Sequence, residues 1–228
     1  ASGLGETRRR ELEIPASAVV LLSVRALRPL MGHHYVLEAF ALLAREPQFR
    51  DVVLALKRYL PSPDGYEDRL RARVDELGLA SRVFWLSDAR SEDMPVEYSL
   101  AEVVINYPEQ DGFPVTLFEA AACRRPIVSS DLPAYRGMVD EEAVWLAPPA
   151  NPERLAETLR ACLSAGVVEN ETRLMRAEQF ARERGDHVVH ALDVLHIERG
   201  VDIDSRGQAF LDVRPTASVA RSGGVRGR

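Results

Sequence analysis

Residues 102–130 read EVVINYPEQDGFPVTLFEAAACRRPIVSS, and the reading of this stretch decides the fold. The run 102–107 is short, apolar and β-branched, the pattern of a buried strand. A helix is expected over 114–123, where Pro114 suits the first helical position. A second strand follows at once over 126–130. Strand, helix, strand in so few residues is a crossover unit, and parallel strands need crossovers.

The same alternation extends outward in both directions. Towards the N-terminus, strands are expected at 18–24 (AVVLLSV), 51–56 (DVVLAL) and 82–86 (RVFWL). Between them lie helical patterns at 34–46, at 66–77 with Gly78 as its stop, and near 91–100. Towards the C-terminus come a short strand at 143–147 and helices at 152–165, 169–184 and 187–198. The expected fold is therefore α/β, a Rossmann-like doubly wound parallel sheet covered on both faces. Residues 16–198 form one domain in this reading, 1–15 a linker or first turn, and 199–228 a flexible tail with one weak strand near 208–213.

Composition bounds the function. The chain has 228 residues, 46% of them hydrophobic, enough for a sizeable core. With 29 basic and 35 acidic side chains the formal charge is −6, which argues against a general nucleic-acid binder. Lys57 is the sole lysine, so arginine is simply the default cation here. Two cysteines, Cys123 and Cys162, make no disulfide framework and point to a reducing, cytoplasmic setting. There is no run of 18 apolar residues, and residues 1–15 lack the apolar core of a signal peptide. The chain opens on Ala rather than Met and is read as a piece of something longer.

In an open α/β sheet, ligands bind beyond the carboxyl ends of the strands. After the strand at 102–107 lies Asp111-Gly112-Phe113-Pro114-Val115-Thr116, with Glu119 further along the helix. Gly112 allows a tight turn and close approach of another molecule. The amides of Val115 and Thr116 are expected to point out of the helix start, where the dipole favours a phosphate. Asp111 at the lip and Glu119 further in suit hydroxyl groups. The same pair also fits a plain structural role, Asp111 capping the helix and Glu119 pairing with an arginine. After the first strand come Arg25 and Arg28, which suit a diphosphate, or solvent.

Taken together, these segments resemble a family. The strand at 18–24 leads into a basic loop, then Pro29-Leu30-Met31-Gly32 and a helix with Leu37-Glu38-Ala39-Phe40; D-G-F-P-x-x-x-x-E-A-x-A-C and R-P-I-V-x-S-D-L-P follow over 111–133. Further matches are RVFWL at 82–86, Met94-Pro95 to Tyr98-Ser99-Leu100-Ala101-Glu102, and LAPP at 146–149 before PERLA at 152–156. Over residues 5–197 the chain resembles the C-terminal, donor-binding half of GT-B glycosyltransferases of the large retaining family 4.

The resemblance implies a metal-independent site for a nucleotide-diphosphate sugar, used as substrate with no cofactor. Glu119 would meet ribose hydroxyls and Asp111 sugar hydroxyls, while Phe113, Val115 and Thr116 amides beside Pro114 hold sugar and diphosphate. The base would lie near Trp85 and Leu86. Many members carry Arg and Lys where Ala26 and Met31 stand here, so Arg25 and Arg28 would supply the charge. The chain would need an N-terminal acceptor-binding domain as partner and be inactive alone, with a glycan or lipid-linked acceptor and possible contact with the inner membrane face. Two other readings stand beside it: a nucleotide-sugar epimerase, or a non-catalytic module with a degenerate donor site. Among smaller signals, His33 and His34 are expected to cap or to face solvent, and Arg8, Arg9 and Arg10 to form a solvated first turn. His187, His190 and His196, at spacings of three and six, have no Cys partner at ligand spacing, so no metal site is expected there. Cys123, Trp85 and Trp145 read as core.

Overall fold

The structure, a computed structural model, describes residues 3–58, 62, 65–87 and 93–184, together with the backbone of 202–203 and 209–210. The apolar runs become β1 (Val19–Ser23), β2 (Val52–Lys57), β3 (Val83–Leu86), β4 (Val103–Asn106), β5 (Ile127–Ser130) and β6 (Trp145–Ala147). All pair in parallel, in the order β3-β2-β1-β4-β5-β6. The helices are α1 (Gly3–Glu11), α2 (His33–Ala44), α3 (Tyr66–Glu76), α4 (Met94–Ser99), α5 (Val115–Ala122), α6 (Pro152–Ser164) and α7 (Val167–Arg184).

Strands β2, β4 and β5 are buried at every position, because helices cover both sides of the sheet. Alternate residues feed two separate cores. Val20, Leu22, Val53 and Val104 pack with Tyr98 of α4, Phe118 of α5 and Phe180 of α7. Leu21, Leu54, Leu56 and Ile105 pack with Phe40 of α2, Leu70 of α3 and Leu159 of α6. Strands β1 to β3 run outward one way and β4 to β6 the other, so the winding reverses between β1 and β4. In a sheet of this order the binding crevice opens at that reversal.

Residues Gly3–Glu11, expected as linker or first turn, form a helix docked on α4. Gly5 permits the approach: a Cβ there would lie 2.4 Å from the Ser99 carbonyl oxygen. The arginine run is not the solvated turn that its composition suggests. Arg9 is 7% exposed. Its guanidinium donates to the carbonyls of Leu100 (2.8 Å) and Ala18 (3.1 Å) and pairs with Glu102. Arg8 bonds Glu97 at 3.0 Å, leaving Arg10 as the exposed member. The expected helix at 187–198, with its three histidines, lies outside the described residues. So does most of 199–228, apart from a two-stranded antiparallel pairing of 202–203 with 209–210. No helix among the described residues is long and apolar enough to cross a membrane.

Candidate functional site

The site begins where β1 ends. Residues 24–28 turn outward, and a 3₁₀ turn over Pro29–Met31 leads through Gly32 into α2. His33 fixes this loop from below and is fully buried, not capping or solvated. Its Nε2 lies 3.1 Å from the Ala26 carbonyl oxygen and its Nδ1 3.3 Å from the Ser23 hydroxyl. A carbonyl can only accept, so Nε2 carries the proton and Nδ1 accepts from Ser23. Burial pulls the imidazole down to about 4, so it is neutral at pH 7. His34 is half-buried, with Nδ1 2.9 Å from the Tyr66 hydroxyl.

The loop after β4 closes onto this one. The Glu109 N–H donates to the Leu30 carbonyl at 2.9 Å. Gly32 sits at φ 72°, and a Cβ there would stand 2.0 Å from the Tyr107 carbonyl oxygen. Only glycine satisfies both the left-handed backbone and that contact.

Between the loops lies a cavity of about 390 Å³, lined by Val24, Arg25, Ala26, Arg28, Met31, Met94, Val115, Thr116 and Glu119. Segments far apart in the chain thus bring two arginines, a hydroxyl and a carboxylate to one crevice at the winding reversal. Arg25 sits at the junction. Its Nη2 is 3.1 Å from Asp111 Oδ2, its Nη1 3.4 Å from Thr116 Oγ1 and its Nε 3.3 Å from Met31 Sδ. Glu119 accepts a 2.6 Å hydrogen bond from the Tyr98 hydroxyl on α4. Tyr98 is fully buried; burial and then the neighbouring Glu119 carboxylate push its hydroxyl well above the usual phenol range, so it stays a donor. Asp111 does not cap α5, whose first turn has no side-chain cap. It accepts instead from the Gly112 N–H (3.0 Å) and the Tyr135 hydroxyl (2.8 Å). Burial and then Asp111 likewise raise the Tyr135 hydroxyl.

Other expected residues are placed differently. Asp111, Gly112, Phe113 and Pro114 lie outside the cavity lining, Asp111 being tied to it through Arg25; Phe113 stacks on Phe118 with centroids 5.4 Å apart. The Val115 N–H donates to the Phe113 carbonyl at 3.0 Å instead of pointing into the cavity, because the chain turns tightly through Pro114. Trp85 and Leu86 do not line it either. As strand neighbours they face opposite sides of the sheet. Trp85 packs on the α2–α3 side under the Arg71 guanidinium, 4.1 Å from its ring, and Leu86 is sealed in the other core. Tyr98, Tyr135 and His33 are buried polar residues that the sequence does not assign to the site; the tyrosines meet carboxylates more than 20 residues away, whereas His33 bonds its own loop. A more open depression of about 620 Å³ lies beside α7, with Arg173 stacked 3.9 Å over Trp145. It is away from the winding reversal, and two of its carboxylates, Glu141 and Glu142, are paired with Arg136 and Arg176.

With this geometry in hand, comparison with known proteins decides the family. The model described as Glycosyl transferases group 1 matches residues 5–183. The chain belongs to this family. A relative, D-inositol 3-phosphate glycosyltransferase of Saccharomonospora viridis, is 30% identical over 179 residues, covering 72% of this chain and 41% of its own length. The structure of Anabaena HepE in complex with UDP-glucose superposes with a TM-score of 0.72 at 21% identity, over 88% of this chain and 53% of HepE. The C-terminal domain of LpcC from Francisella tularensis gives 0.66 at 16% identity, over 81% of this chain and 94% of that domain. The α/β, Rossmann-like fold is thus that of GT-B glycosyltransferases, and the chain spans about half or less of the full-length relatives it matches.

Proposed function

We propose that this chain is the donor-binding domain of a retaining glycosyltransferase that uses a nucleotide-diphosphate sugar. The observation that carries the reading is the cavity at the β1–β4 reversal, where Arg25, Arg28, Thr116 and Glu119 converge. In sugar transfer the donor's anomeric bond breaks as negative charge gathers on the departing diphosphate. Arg25 and Arg28 meet that charge with guanidinium forks, and the start of α5 adds a dipole and the Thr116 hydroxyl. A fixed donor aimed at developing charge is worth about 3–4 kcal/mol of transition-state stabilisation. These groups do the work of a cation, so the reading needs no metal. Glu119, oriented by Tyr98, takes the ribose hydroxyls. Asp111 takes sugar hydroxyls from the lip.

The acceptor, a glycan or lipid-linked molecule, would sit on a second Rossmann-like domain, and without it this chain binds donor and transfers nothing. Its setting would be the cytoplasmic side of a membrane. A degenerate, purely binding role is the other reading, favoured by Ala26 and Met31 lining the cavity where arginine and lysine are common in the family. Calorimetry with Arg25→Ala tests the phosphate assignment: diphosphate ligands should weaken by at least tenfold while nucleosides hardly change. Equal losses for both would move the phosphate site elsewhere. An assay of the full-length protein, with the anomeric configuration of its product read by NMR, separates transfer with retention from binding alone.

A further inference from the structure

Asp111 and Arg25, the two groups given opposite tasks above, hold each other. Asp111 Oδ1 accepts from the Gly112 N–H at 3.0 Å; Oδ2 accepts from the Tyr135 hydroxyl at 2.8 Å and faces Arg25 Nη2 at 3.1 Å. The side chains are 16% and 11% exposed, so solvent screens the pair weakly. The remaining contacts of Arg25, to Thr116 and Met31, are longer.

We infer that Arg25 and Asp111 form an exchangeable ion pair that makes this site select diphosphates bearing a sugar over bare nucleoside diphosphates. The inference rests on the donor-site reading above. An entering diphosphate competes with Asp111 for the Arg25 guanidinium. When it wins, the carboxylate stays in place, because the Tyr135 hydroxyl and the Gly112 N–H still hold it, and Tyr135 is itself fixed by the fully buried Asn106 amide at 3.1 Å. Asp111 is then a largely buried anion that has lost its cation. A sugar hydroxyl restores a donor to Oδ2; a bare diphosphate restores nothing. The cost of opening the pair therefore falls on ligands without a sugar.

The test is calorimetric titration of this chain with UDP, GDP, UDP-glucose and GDP-mannose. Wild type should bind the matching sugar-bearing ligand about tenfold tighter than its bare diphosphate. In Asp111→Asn and Asp111→Ala, the bare diphosphate should bind about tenfold tighter than in wild type, and the preference for the sugar should collapse. Wild type binding both forms equally overturns the inference, and that result is read even where a variant does not fold. So does unchanged bare-diphosphate affinity in folded variants. Wild type binding none of the four overturns the donor-site reading itself, and this inference falls with it.

Discussion

His33 makes the stability of this domain depend on pH in a way that can be isolated. The imidazole titrates at about 4 in the folded chain against 6.5 when unfolded, because burial penalises its charged form. Between those values the unfolded chain takes up a proton that the folded chain refuses, so stability falls as pH falls. The effect is fully favourable above about pH 6.5 and exhausted below about pH 4. Linkage sets its full size at about 3 kcal/mol, of which about 2 kcal/mol is lost between pH 7 and pH 5. Other groups titrate in that range too, so the clean measurement is a difference. His33→Gln keeps a donor for the Ala26 carbonyl and an acceptor for the Ser23 hydroxyl but cannot titrate. Urea unfolding of both proteins at pH 7 and pH 5 should find the variant gaining about 2 kcal/mol on wild type at the lower pH. Parallel losses in the two proteins would refute the reasoning. Because the folded chain keeps His33 neutral down to about pH 4, the loop that carries Arg25 and Arg28 is unaltered over this range, and nucleotide affinity should change alike in wild type and His33→Gln between pH 7 and pH 5.

Two further substitutions probe the frame of the site. Tyr98→Phe removes a buried donor to the Glu119 carboxylate and should cost about 2 kcal/mol in urea unfolding; a midpoint unchanged from wild type would mean that the hydroxyl does not hold Glu119. Gly32→Ala combines a left-handed backbone with a Cβ 2.0 Å from the Tyr107 carbonyl oxygen. It should lower stability by at least about 2 kcal/mol, read as a fall in Tm, because backbone and not a flexible side chain must move.

The sheet was legible because parallel strands buried on both faces leave continuous apolar runs, and each strand of the six-stranded sheet lies within a residue or two of its expected bounds. The reversal between β1 and β4, which places the crevice, was not legible: strand–helix alternation is compatible with several strand orders, and only the pairing of β1 with both β2 and β4 sets it. Side-chain direction was harder. Trp85 and Leu86 were expected together near the base, yet adjacent strand residues point to opposite faces, and each found its own core. The arginines at 8–10 read as solvated because nothing local distinguishes Arg9 from its neighbours. Its partners Leu100 and Glu102 lie about 90 residues away, brought near only when α1 docks on α4. His33 differs: its two hydrogen-bond partners, Ser23 and Ala26, are local, but its complete burial arises only in the folded chain. The chemistry of Asp111 and Glu119 was visible as residue type and spacing, whereas the tyrosines that hold them were not, since hydrogen bonds between distant elements leave no periodic trace.

The central claim, that the crevice binds the nucleotide part of a sugar donor through Glu119, is tested most directly by calorimetric titration with UDP and GDP side by side, in wild type and Glu119→Ala. The account predicts micromolar binding of one of the two by wild type and its loss in a variant whose thermal melt remains cooperative. Equal affinity in wild type and Glu119→Ala would contradict it.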